Sequence, residues 1–186
     1  MKRLLMLGLT LTTISACGAA LNSTLTTFMV EDDKTRVQSL LENPEELSRF
    51  LSNTTIKDWD DRHGTQIEYH STDGRTWLVY PGNTRAVQGQ WQLQSSNGQP
   101  QMCYLYGTGS YNPVTRRKGG NWECTPAILT LLADEVVDGD VLRLQGRGAF
   151  PQQMPPRVNV SISEAMAAIG LQPLRSPNKV NWEYTR

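Results

Sequence analysis

The chain opens on an apolar run and then changes its period twice. Leu4 to Ile14 is broken only by Gly8 and three threonines, behind Lys2 and Arg3. Such a core is too short to span a bilayer, which takes roughly 20 apolar residues, and a basic start before a short apolar core is the pattern of an export signal. Residues 18–30 follow no clear period and read as a tether. Val37, Leu40 and Leu41 then share a helical face. Asn43, Pro44, Glu45 and Glu46 supply a cap, a preset first turn and acidic charge near a positive helix end. Leu47, Phe50 and Leu51 fall at helical spacing behind them, which predicts one short amphipathic helix or two in a row, packed on a sheet.

From residue 54 the period becomes two. The alternation predicts strands at 54–59, 65–70, 76–80, 86–93, 101–107, 120–124 and 140–147. Asp73-Gly74, Pro81-Gly82-Asn83 and Asn97-Gly98 mark tight turns, so successive strands should be antiparallel neighbours. Val87, Gly89, Trp91 and Leu93 share one face of their strand, as do Met102, Tyr104 and Tyr106 of the next. Residues 126–134 have helical character, Asp138-Gly139-Asp140 turns into the last strand, and 161–169 predicts a short helix capped by Ser163. The expected fold is mainly β with short flanking helices: an antiparallel meander sheet or a small barrel, with a calycin-like form among the alternatives.

Ile14, Ser15, Ala16 and Cys17 resemble the signal of bacterial lipoproteins, an aliphatic residue and two small residues before a cysteine. The resemblance implies cleavage before Cys17, a diacylglycerol on its thiol and an acyl chain on the new amino terminus. Several chains give stable membrane attachment where one is marginal. Gly18 stands where aspartate would retain the protein at the inner membrane, so the expected address is the cell envelope, at the outer membrane facing the periplasm. The implied organisation is a signal peptide at 1–16, a lipid anchor and tether at 17–30, one β-rich domain at 31–172 and a polar tail at 173–186. With Cys17 committed to lipid, Cys103 and Cys124 are expected to form a disulfide, as suits an oxidising compartment.

Loss of Lys2 and Arg3 leaves 16 basic against 18 acidic residues, a formal charge of −2, which argues against a nucleic-acid partner. The imidazoles are His63 and His70, too few with the two remaining cysteines to build a metal site, and no cofactor is expected. Gly107-Thr108-Gly109-Ser110 lacks the strand-to-helix setting of a nucleophile elbow. Asp58, Asp60 and Asp61 cluster around Trp59 but lack the spacing of a calcium loop. No catalytic residue is assigned on these grounds. Tyr111, Arg116, Arg117 and Lys118 lie inside the expected disulfide loop and combine positive charge with an aromatic, which suits contact with an envelope protein or an anionic glycan.

Two further resemblances concern the domain. Gly89-Gln90-Trp91 resembles the glycine-x-tryptophan signature of lipocalins, closed barrels that bind small apolar molecules. Residues 54–147 resemble small exported proteins of alphaproteobacteria through Gly89 with Trp91, Met102 to Tyr106, Trp122 to Cys124 and Gly139 to Leu144. That resemblance implies the β fold and the disulfide and carries no activity. Three functional expectations follow. The first is a non-enzymatic binding or interaction module that presents the 107–121 loop. The second is an apolar-ligand carrier lined by Trp77, Trp91 and Tyr104, and the third a hydrolase built on His63, His70 and Asp58 to Asp61.

Overall fold

A computed structural model describes residues 24, 26–27, 29–146, 154–174, 179 and 182. The signal segment and Cys17 lie outside the described residues, as do most of the tether and of the tail. Two helices lead into the sheet, α1 (Glu31–Glu42) and α2 (Pro44–Leu51). Asn43 separates them: its side chain accepts from the Glu46 amide and caps α2, with Pro44 in the first turn where a missing N–H costs nothing. Each helix buries the apolar stripe expected of it, Val37, Leu40 and Leu41 on α1 and Leu47, Phe50 and Leu51 on α2.

Seven strands form one antiparallel, curled sheet: β1 (Thr54–Asp60), β2 (Gly64–His70), β3 (Arg75–Val79), β4 (Val87–Ser96), β5 (Gln99–Tyr106), β8 (Glu123–Pro126) and β9 (Glu135–Asp138). Their spatial order is β8-β5-β4-β3-β2-β1-β9. β1 to β5 are a plain meander, so each pairs with its sequence neighbour. Asn97 and Gly98, with φ of 52° and 74°, join Ser96 to Gln99 directly, the left-handed pair that matches the twist of a two-residue hairpin. A separate small ribbon pairs β6 (Tyr111–Asn112) with β7 (Arg117–Lys118).

Each face of the sheet carries a core. On the front face Ile56, Trp91, Met102 and Val136 pack against α1, α2 and α3 (Ala127–Leu131), which carries Ala127, Ile128 and Leu131. On the back face Ile67, Tyr69, Trp77, Val79 and Val137 pack against Leu142, Leu144, Met154 and α4 (Ile162–Ala168). The chain crosses the back face tied by polar side chains. Thr65 Oγ1 donates to the Val158 carbonyl at 2.6 Å and accepts from the Val160 amide at 2.8 Å. Buried Lys57 reaches Asp134 at 2.8 Å and Asn159 at 2.5 Å.

Three expectations change at the end of the chain. Of the strand expected at 140–147, residues 140–146 are not a strand and 147 lies outside the described residues: the Asp140 carboxylate accepts from the Leu144 and Gln145 amides and winds Leu144–Gly146 into a 3-10 turn. The last strand is instead β9, whose Val136 and Val137 are buried on opposite faces. A strand buried on both sides shows no alternation, which hides it from a period-two reading. The helix after Pro126 is shorter than 126–134, and α4 is capped by Ser161 rather than Ser163. Ser161 and Glu164 form a reciprocal capping box. In the tail, the Lys179 amide donates to the Val136 carbonyl on the β9 edge and the Trp182 indole N–H donates to the Leu131 carbonyl.

Candidate functional site

The 107–121 segment is an excursion between β5 and β8 with its root fastened covalently. Cys103 and Cys124 face each other across the β5–β8 ladder and form a disulfide. Above this staple the Gly120 amide donates to the Tyr106 carbonyl and the Gly119 amide to the Ser110 carbonyl, so the two legs run together before the β6–β7 ribbon. At the tip Asn112 Oδ1 accepts from the amides of Val114 and Thr115, both at 3.0 Å, and Arg116 takes a left-handed φ of 60°. Tyr111 lies directly opposite Lys118, and Asn112 opposite Arg117. Tyr111 is 57% exposed and Trp122 38%, while Arg116, Arg117 and Lys118 are all exposed. Arg117 approaches Glu123 at 3.8 Å, leaving Arg116 and Lys118 without an ion-pair partner among the described residues. The arrangement offers cations and an aromatic face to a flat or anionic partner from a constrained loop.

A second group of polar side chains sits on the front face and was not assembled by sequence reasoning. His70 is completely buried, stacked on Trp91 with ring centroids 5.1 Å apart, and its Nε2 lies 3.2 Å from the Tyr104 hydroxyl. Nδ1 of the same ring has no hydrogen-bond partner among the described residues. Glu68, two residues earlier on β2, accepts from the Tyr106 hydroxyl at 2.5 Å and from Thr76 Oγ1 at 2.6 Å. Its other oxygen is 3.8 Å from His70 Nε2. Burial, reinforced by the Glu68 charge, pushes the Tyr104 and Tyr106 phenols well above the ordinary tyrosine value, so both remain neutral hydroxyls at physiological pH. Gly89 makes this contact possible. It pairs with Tyr106, and a Cβ there would meet Tyr106 Cδ1 at 2.7 Å and the Leu105 carbonyl at 2.8 Å, so the ring lies across bare backbone to reach Glu68. The spacing that could have signalled the group is Glu68-x-His70 on one strand and Tyr104-x-Tyr106 on another, with a glycine strand between.

The remaining residues named from sequence do not converge. His63 lies at the β1–β2 turn, the far end of β2 from His70, with Nδ1 2.9 Å from the Tyr80 hydroxyl. Asp60 caps the same turn by accepting from the Arg62 and His63 amides. Loss of solvent works against these bonds, yet they hold the carboxyl below its ordinary range. The two histidines therefore do not meet around the Asp58 to Asp61 carboxylates. Trp91 and Tyr104 share the front face, whereas Trp77 lies on the back face beside Tyr69. The trio named for a carrier cavity is thus split by the sheet. Two open grooves of about 620 and 680 Å³ border α2, and both are lined largely by polar side chains, among them Arg36, Arg49 and Ser48. Ser110 Oγ donates to the Gly107 carbonyl within the excursion. Among the described residues no group of three His, Cys, Asp or Glu side chains could hold a metal ion, and no helix is long and apolar enough to cross a membrane.

No known protein family, curated protein or solved structure matches this chain. The side chains and their geometry alone therefore bear on function.

Proposed function

We propose that the chain is an exported envelope protein, anchored through acyl chains on Cys17 at the outer membrane and facing the periplasm, whose domain is a non-enzymatic binding module. The observation that carries this reading is the Cys103–Cys124 disulfide at the root of an exposed cationic and aromatic excursion. A disulfide belongs to an oxidising compartment, and this one uses both cysteines other than Cys17. It also restrains the loop before any partner arrives, which lowers the ordering cost of binding. Tyr111, Arg116, Arg117 and Lys118 supply the contacts, and an anionic envelope glycan or an acidic face of an envelope protein supplies the complement.

Purified peptidoglycan sacculi serve as the anionic glycan in the test. The protein is expected to co-sediment with them at low salt and to be released as salt rises, since exposed charges are screened within about 10 Å at 0.1 M. The double substitution Arg116→Glu with Arg117→Glu should abolish co-sedimentation while the far-ultraviolet circular dichroism stays unchanged. Equal sedimentation of both proteins would exclude the loop as the contact surface for this glycan.

A further inference from the structure

We infer that the Tyr104–Tyr106 side of the front face is a binding site for a small organic cation, an ammonium group lying against the two phenol rings with the Glu68 carboxylate as its counter-charge. Glu68 is the starting observation. Its side chain is only 15% exposed, and no lysine or arginine among the described residues lies within ion-pair distance of it. A carboxylate withdrawn from water ordinarily has a cationic partner, because its desolvation is costly. Here two hydroxyls serve Oε1, while Oε2 lies 3.8 Å from His70 Nε2, beyond hydrogen-bond reach, with no cationic partner closer among the described residues. The His70 Nε2 is engaged instead by the Tyr104 hydroxyl at 3.2 Å, closer than Glu68 Oε2 at 3.8 Å. The fixed positive charges of this region lie elsewhere: Lys57 is spent on Asp134 and Asn159, and Arg75 on Asp73.

The surroundings suit an organic cation better than a metal ion. Tyr104 and Tyr106 alternate onto the same side of β5, their rings nearly parallel at 7° with centroids 6.2 Å apart, and both are partly exposed. Ring faces attract ammonium groups and do not supply the several oxygen ligands that a hard cation needs. Leu78, the cross-strand neighbour of Glu68, and Val87, paired in turn with Leu78, are half-buried on the same face and add apolar surface for methyl groups. Asp58 on this face is exposed and adds negative charge at the rim. The site adjoins the root of the cationic excursion at Tyr106 and takes a ligand of opposite charge to the excursion's.

Choline and its neutral carbon isostere dimethylbutanol distinguish charge from mere apolar fit, with the mature full-length chain titrated at constant ionic strength. Tryptophan fluorescence follows Trp91 beside His70, and amide shifts follow Tyr104 and Tyr106. The expected result is saturable millimolar binding of choline, with the isostere at least about tenfold weaker. Glu68→Gln should weaken choline by about tenfold, while Tyr106→Phe, which keeps the ring, should stay within about threefold. Absence of a saturable response, equal binding of the isostere, or equal binding by Glu68→Gln would overturn the inference. Near-ultraviolet circular dichroism checks that both variants fold; if Glu68→Gln does not, the contrast between choline and its isostere on the native chain decides. Neither result bears on sacculus binding by the excursion, which Arg116→Glu with Arg117→Glu tests alone.

Discussion

Gly89 shows how much one missing side chain can organise. Because the Tyr106 ring occupies the space a Cβ would take, Gly89→Ala must push the ring or the Leu105 carbonyl aside and break the Tyr106–Glu68 bond. Forced overpacking of this kind costs about 1–3 kcal/mol, read as a lower urea midpoint at unchanged slope. The same tyrosines set the alkaline limit of the fold. Their pKa values are raised in the folded chain by burial and by Glu68, so the folded state holds their protons more tightly than the unfolded state. That stability is fully present below the ordinary tyrosine value of about 10 and is lost as pH rises above it. Phenolate absorbance should accordingly show two tyrosines that ionise only as the protein unfolds. Rapid ionisation of all tyrosines at the ordinary value, with the fold intact, would contradict the shielding of these two hydroxyls.

Elements differ in how openly the sequence announces them. β4 and β5 were legible because Val87, Trp91 and Leu93 fall on one face, as do Met102, Tyr104 and Tyr106, and Asn97-Gly98 joins the two strands in a two-residue hairpin. β9 was not, since Val136 and Val137 are both buried and the segment reads as a plain apolar run. Residues 140–147 misled in the opposite direction: Val141, Leu142 and Leu144 look like a strand, but the Asp140 carboxylate holds the backbone amides that a strand would offer to a neighbour. Caps act at this scale too. Ser161 accepts from the Glu164 amide while the Glu164 carboxylate returns to the Ser161 amide, fixing the start of α4 over the back-face core. Ser161→Ala should cost about 1 kcal/mol in urea unfolding, and Ser163→Ala almost nothing. A larger loss at Ser163 would reverse the assignment of the cap.

At the scale of the whole molecule, one sheet carries two cores, and the disulfide joins β5 to an edge strand that makes only four ladder pairs. Cysteine counting pointed to this bond, whereas the Glu68, His70, Tyr104 and Tyr106 group stayed hidden because its members lie up to 38 residues apart and meet only through pairing across β3 and β4. Replacing both Cys103 and Cys124 by serine should lower stability by about 3 kcal/mol, the value for closing a loop of this length, and leave the meander folded. The proposed envelope address rests on the sequence around Cys17 and is open to a single direct test. Intact mass spectrometry of the membrane-extracted protein, before and after reduction and alkylation, should show a triacylated chain beginning at Cys17 with two cysteines alkylated only after reduction. A water-soluble chain without acyl groups, or one in which Cys103 or Cys124 is alkylated before reduction, would contradict it.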